Sequence, residues 1–277
     1  MRRTDCVLLV SVVVLALVMA CQPATQQEPE QVAAAPEHEA EAEVHWGYEG
    51  DEGPEYWGDL SSDFAACRQG VEQSPVDLSH SIPVGTVPLE RQLTTPTLTV
   101  EQRARVMDLV DNGHTIQVTN DVPMALDLGG EHYELVQFHF HAPSEHTFDG
   151  KHAPLEIHYV HRSTGGQLAV LGALLEEGEH EPLLDPILAA LPERPGDSRH
   201  LEGLDLDMSQ LRPLPQQYFF YEGSLTTPPC SEGVLWIVMG ELRQISPDQM
   251  AALTPLLHDN NRPVQPLGDR QLSLVSR

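Results

Sequence analysis

A chain of 277 residues with 42 acidic against 15 basic side chains carries a formal net charge of −27, which repels phosphate backbones and excludes nucleic acid as a partner. Its 40% hydrophobic content is ordinary for a protein that buries a core, in one large domain or two small ones. With Lys151 as its single lysine, the surface is acidic and strongly hydrated; solubility explains that equally well, and charge is silent about any reaction.

At the start of the chain, Arg2 and Arg3 precede an apolar run from Val7 to Val18 and then small residues before Cys21. That three-part layout is an export signal over residues 1–20. The run falls short of the roughly 20 residues a membrane-spanning helix needs, which argues against a permanent transmembrane anchor. The stretch "LVMAC" resembles the lipobox of bacterial lipoproteins, although Met19 is not the small residue usual there. Lipidation of Cys21, with a lipid anchor as the membrane partner, is favoured over simple cleavage. Residues 21–43 are rich in Gln, Pro, Ala and Glu with almost no large apolar side chain, so they cannot offset their ordering entropy and read as an acidic flexible tether. The expected location is therefore exported, in the periplasm or cell envelope. Removing the signal (Arg2 and Arg3 against Asp5, net +1) leaves −28.

Residues 44–277 contain no linker, repeat or low-complexity block and read as one domain. Cys6 leaves with the signal, so Cys67 and Cys230 are expected to pair in an oxidising compartment, two buried free thiols being the alternative. "RVMDLVDNGHTIQVTN" alternates apolar and polar residues around Asn112 and Gly113, a dipeptide suited to the positive φ angles of a tight hairpin. "PMALDLGG", "YELVQFHFHA", "LEIHYVH", "QLAVLGALL" and "GVLWIVMGEL" continue as strands. Helix signals are fewer: Ser246 and Gln249 form a capping box with Pro247 at the first helical position. The predicted class is mainly β (α+β), a large twisted, mostly antiparallel sheet with a few peripheral helices.

On a strand, alternate residues share a face, so Gln137, His139 and His141 point one way while Phe138 and Phe140 point to the core. The same rule groups Glu156, His158 and Val160 and offers a third imidazole from a neighbouring strand. Three histidines on a rigid sheet make an open zinc site, with the fourth tetrahedral position left for water. Gln137 and Glu156, two residues from ligand histidines on the same faces, are placed to fix the second ring nitrogens. His146 lies in the "PSEHT" turn and is taken as structural. The HExxH of a zincin protease is absent. A double-stranded β-helix iron protein, which pairs HxH with a carboxylate ligand, remains the rival at this level.

The ordered motifs "HWGYEGDEGPEYW", "QSPVDL", "NGH", "QFHFH", "SEHT", "LEIHYVH", "LAVLG", "SLTTPP" and "NRPVQPL" span His45 to about Gln271, and there the chain resembles the alpha-class carbonic anhydrases. The resemblance implies Zn²⁺ on His139, His141 and His158, and reversible hydration of carbon dioxide to bicarbonate by zinc-bound hydroxide. It implies that Thr226 orients the hydroxide while donating to Glu145, and that Val160, Val170, Leu225 and Trp236 form the apolar wall for CO₂. His114 matches the proton shuttle; Tyr48, Asn112 and Gln117 order the intervening waters, and Thr227 lines the cavity. The Cys67 and Cys230 pair matches the disulfide of exported members. Departures are Gln117 where some members have asparagine, "HAPSEH" for the common "HWGSEH", and Asn261 for a common tryptophan. None removes an expected ligand. The rival class is a non-catalytic binding protein of this fold, in which zinc histidines are usually missing; ester hydrolysis is an expected side activity. A homodimer is left open.

Overall fold

Alternation becomes sheet. The structure, a computed structural model, describes residues 44–79, 97–100, 103–121, 124–207 and 217–276. The expected signal, the tether and Cys21 lie outside these residues. Strands Arg103–Asp111, Ile116–Asn120, Met124–Leu128, Glu131–His141, Leu155–Ser163, Leu168–Glu177 and Glu232–Met239 occupy the stretches whose period-2 pattern predicts them. Among the described residues the main sheet has twelve strands. From one edge its path runs Ser198–Asp207, Arg103–Asp111, Ile116–Asn120, Glu131–His141, Leu155–Ser163, Leu168–Glu177, Glu232–Met239, Gln217–Ser224 and Ser273–Ser276. Along it only Leu168–Glu177 with Glu232–Met239 is parallel. Helices are short and peripheral, and Pro247–Leu253 starts with the expected capping box of Ser246 and Gln249.

The hairpin differs from expectation by one residue. Asp111 pairs with Ile116, and the turn centres on Gly113 and His114, with Gly113 at φ 85°. Asn112 does not adopt positive φ; its Oδ1 instead accepts from the amides of His114 and Thr115, both at 2.9 Å. An asparagine side chain that bonds its own downstream backbone satisfies the loop without needing the left-handed region. The shift matters because it sets the direction in which His114 leaves the sheet.

The sheet packs both faces. Phe138, Phe140, Ile157, Tyr159 and Leu171 lie on one side in the larger core cluster. Val170, Leu174, Tyr221, Trp236 and Val238 lie on the other. The three histidines share this second side, because His158 faces Gly172 in register and Gly172 lies between Val170 and Leu174. Phe138 and Phe140 thus hold the strand down while its histidines point away.

Cys67 and Cys230 form a disulfide across 163 residues. Arg262, fully buried, ties the same corner together by donating to Gln73 Oε1, Ser74 O and Cys67 O while its guanidinium sits 5.7 Å from the Trp57 ring. Burial lowers its pKa to about 10, against the pull of Glu145, so it remains a cation at neutral pH. Closing so long a loop reduces the entropy of the unfolded chain by the equivalent of about 3 to 5 kcal/mol. Replacing both cysteines by serine is therefore expected to lower the unfolding free energy, measured in urea, by that amount.

Candidate metal centre

The site begins with strand register. His139 lies directly opposite His158, and His141 opposite Glu156, so two adjacent strands deliver three imidazoles and one carboxylate to one patch. One ring nitrogen from each of His139, His141 and His158 falls within 4.8 Å of the others.

The remaining ring nitrogens decide the tautomers. His139 Nδ1 lies 2.8 Å from Gln137 Oε1, His141 Nδ1 2.6 Å from the Asn260 carbonyl, and His158 Nε2 2.9 Å from Glu156 Oε1. All three partners are acceptors, so each of these nitrogens carries the proton. That leaves lone pairs on Nε2 of His139, Nε2 of His141 and Nδ1 of His158, turned toward the common space.

Burial keeps the rings neutral. It drives the His139 pKa well below its usual value, helped by His141 and His158, and it lowers His141 to about 4 and His158 in the same direction. His141 Nε2 is buried with no hydrogen-bond partner. Such an orphaned acceptor costs about 1–3 kcal/mol unless something binds it. Three neutral nitrogen donors with an open fourth direction suit zinc, and the residues present fit that ion.

Glu156 anchors the set. Its Oε1 takes His158 and His146, the latter at 2.7 Å, and its Oε2 accepts the amides of Glu145 and His146, both at 2.9 Å. Burial alone would raise its pKa, but His146 and His158 hold it well below the usual carboxylate range. His146 is thus a supporting residue, as expected. The space that Glu156 occupies depends on Gly172: a Cβ there would stand 3.1 Å from Glu156 Oε1.

Glu145 is buried beside these histidines, with Oε2 3.7 Å from His141 Nε2 and 3.8 Å from His158 Nδ1. Burial pushes its carboxyl up to about 7, against the opposing pull of His158, the Thr226 hydroxyl and the Arg262 amide. The amide bond to Oε1 measures 2.9 Å, whereas Oε2 makes no bond of normal geometry. The Thr226 hydroxyl bears on this carboxyl as a hydrogen-bond donor that favours its charged form, although Oε2 closes no bond of regular geometry.

Next to the histidines opens a cavity of about 120 Å³. That is below the roughly 300 Å³ at which pockets for drug-sized ligands begin, and it suits waters or a small substrate. Tyr48, Asn112, His114, Gln117, Gln137 and Thr227 line it together with His139 and His141. Two further lining residues, Trp46 and Thr115, carried no assigned role in the sequence reading. Trp46 stacks flat on His114, centroids 3.7 Å apart and planes 6° from parallel. Partial burial lowers the His114 pKa, His45 lowers it further and Asp111 opposes, so the ring is neutral at neutral pH. Val170 and Trp236 lie in the apolar cluster flanking the histidines, with Val160 and Leu225 packed against it. The Trp236 ring is 4.9 Å from His158, and none of these four residues lines the 120 Å³ cavity.

Asn260 also carried no assigned role. Besides orienting His141, it accepts the Ala142 amide at 3.0 Å and donates to the carbonyls of His114 and Phe140, both at 2.9 Å. One residue therefore joins the His139 and His141 strand to the His114 turn.

Residues 52–276 match the sequence model of the family described as eukaryotic-type carbonic anhydrase. A carbonic anhydrase of Nostoc sp. is 43% identical over 227 residues, covering 82% of this chain and 84% of the relative. The alpha-carbonic anhydrase of Thermovibrio ammonificans, solved with the inhibitor sulfanilamide, aligns at a TM-score of 0.76 and 42% identity over 83% of this chain and 99% of the other. That of Photobacterium profundum aligns at 0.74 and 38% over 83% and 100%. The chain belongs to the alpha-class carbonic anhydrases, zinc-dependent enzymes that interconvert carbon dioxide and bicarbonate.

A methyl group at position 172 forces Glu156 to move by a few tenths of an ångström. Gly172→Ala should weaken zinc affinity roughly tenfold, as displacement of a ligand's partner does, read by calorimetric titration of the metal-free protein.

Proposed function

We propose that His139, His141 and His158 hold a catalytic zinc ion and that His114 carries the product proton to solvent. The observation that supports this most directly is the set of three lone pairs converging from imidazoles whose other nitrogens are each tied to an acceptor. When bound, zinc supplies Lewis acidity that brings the pKa of a water down to about 7, a value for which carbonic anhydrase is itself the standard example.

The chain's own groups do the rest. Thr226 accepts a hydrogen from the attacking oxygen and directs its own hydroxyl to Glu145, which aims a lone pair at CO₂. The apolar side chains of Val160, Val170, Leu225 and Trp236 keep the carbon dioxide beside that oxygen and hold water away from it. One water O–H bond breaks and one C–O bond forms as a C=O π pair moves onto oxygen, which gives bicarbonate and leaves one proton to be removed. His114, neutral at working pH, accepts it through cavity waters ordered by Tyr48, Asn112 and Gln117, with Thr227 also lining the cavity. Outside the cytoplasm, with Cys21 lipidated and residues 21–43 as spacer, such an enzyme exchanges CO₂ and bicarbonate at the cell surface.

Stopped-flow CO₂ hydration with zinc assayed on the same sample tests this. The purified protein is expected to turn over rapidly with about one zinc per chain, and His139→Ala with His141→Ala to lose both. Stoichiometric zinc without hydration would leave a zinc-stabilised binding protein. His114→Ala should lower turnover by about 100-fold in weak buffer, the low end for a positioned proton-transfer group, at unchanged zinc content. Added imidazole should restore much of the rate.

A further inference from the structure

Buried polar groups beyond Glu156 form a chain that the reaction itself does not use. His146 Nε2 lies 2.7 Å from the Tyr221 hydroxyl, which lies 3.0 Å from Ser74 Oγ, and Ser74 Oγ accepts the Ser224 amide at 3.1 Å. We propose that Tyr221 is a positioning residue for the metal centre, fixing the His158 ring through His146 and Glu156. The inference rests on the reading of His158 as a ligand.

Tyr221 is built to hold still. It is fully buried, pairs in register with Trp236, stacks on that ring at 6.2 Å and 7°, and carries the Arg270 guanidinium 5.6 Å from its centroid. Its surroundings are shaped for the hydroxyl as well as the ring. A Cβ on Gly223 would stand 2.2 Å from Ser74 Oγ and 2.8 Å from the Tyr221 ring, so only glycine there lets the two approach. A buried phenol needs a partner for its hydroxyl, which one backbone carbonyl would supply. Here the hydroxyl meets an imidazole that is itself bonded to the anchor of a ligand.

The lever lies in Glu156. Its Oε2 is pinned by two amides, whereas its Oε1 has only side-chain partners, His146 and His158. Releasing the outer nitrogen of His146 lets that ring swing, moves Oε1 and lets the His158 lone pair turn off the metal direction.

The test measures zinc release into excess chelator from the zinc-loaded protein, together with the melting temperature of the metal-free form. Tyr221→Phe removes only the hydroxyl and should speed release roughly tenfold, the low end of the range for partners of metal ligands. His146→Asn keeps a donor near Glu156 while deleting Nε2; it should also speed release, and it decides the matter if the first variant fails to fold. Release within about twofold of the parent, even with a lowered melting temperature, would reduce Tyr221 to packing and overturn the proposal. A parent protein that holds no zinc would remove the ligand reading first, and this proposal with it.

Discussion

Three buried imidazoles each give one ring proton to a fixed acceptor, and the site depends on that arrangement. Gln137, the Asn260 carbonyl and Glu156 leave the opposite nitrogens bare and convergent, in surroundings that keep the rings neutral. A metal ion entering such a site displaces no proton from its ligands and reorganises little. The cost falls on folding without metal, since His141 Nε2 is buried unpartnered and Glu145 sits beside the rings with Oε2 unbonded. Stability has been exchanged locally for readiness to bind.

The fold absorbs this cost by spreading the supports over many elements. Glu156 comes from the same strand as His158, Asn260 from the loop before the C-terminal strand, and Gly172 from the strand on the far side of Leu155–Ser163. Arg262 then links that loop to the disulfide corner and, through its amide, to Glu145. Few of these residues face the cavity, yet each limits where a ligand or its partner can stand. The rigid sheet supplies precision, and the Asn112 to Thr115 turn brings His114 to the cavity beside the histidines.

The shared histidine face was legible in the sequence because a strand has period 2: "QFHFH" and "LEIHYVH" can send their histidines to one side only, with phenylalanines opposite. Gln137 and Glu156 followed from the same spacing. Asn260 did not, because it orients His141 through a backbone carbonyl 119 residues away, which no side-chain type announces. Arg262 escaped notice because arginine usually lies at the surface; it is buried here only because carbonyls from distant segments meet its donors. Tyr221, inside "YFFYEGS", has the pattern of any packed strand, and its hydroxyl contacts are purely tertiary. The turn shifted by one residue because Asn112 bonded its own backbone, a local competition that the Asn-Gly pattern does not resolve.

Long-range proton–nitrogen correlation spectra of the imidazoles in the metal-free, nitrogen-labelled protein test the preorganised tautomers most directly. At neutral pH, His139 and His141 should each appear as the Nδ1–H tautomer and His158 as the Nε2–H tautomer before any metal is added. Rings averaging between tautomers, or a His158 protonated on Nδ1, would contradict this by showing that the acceptors do not set the lone pairs.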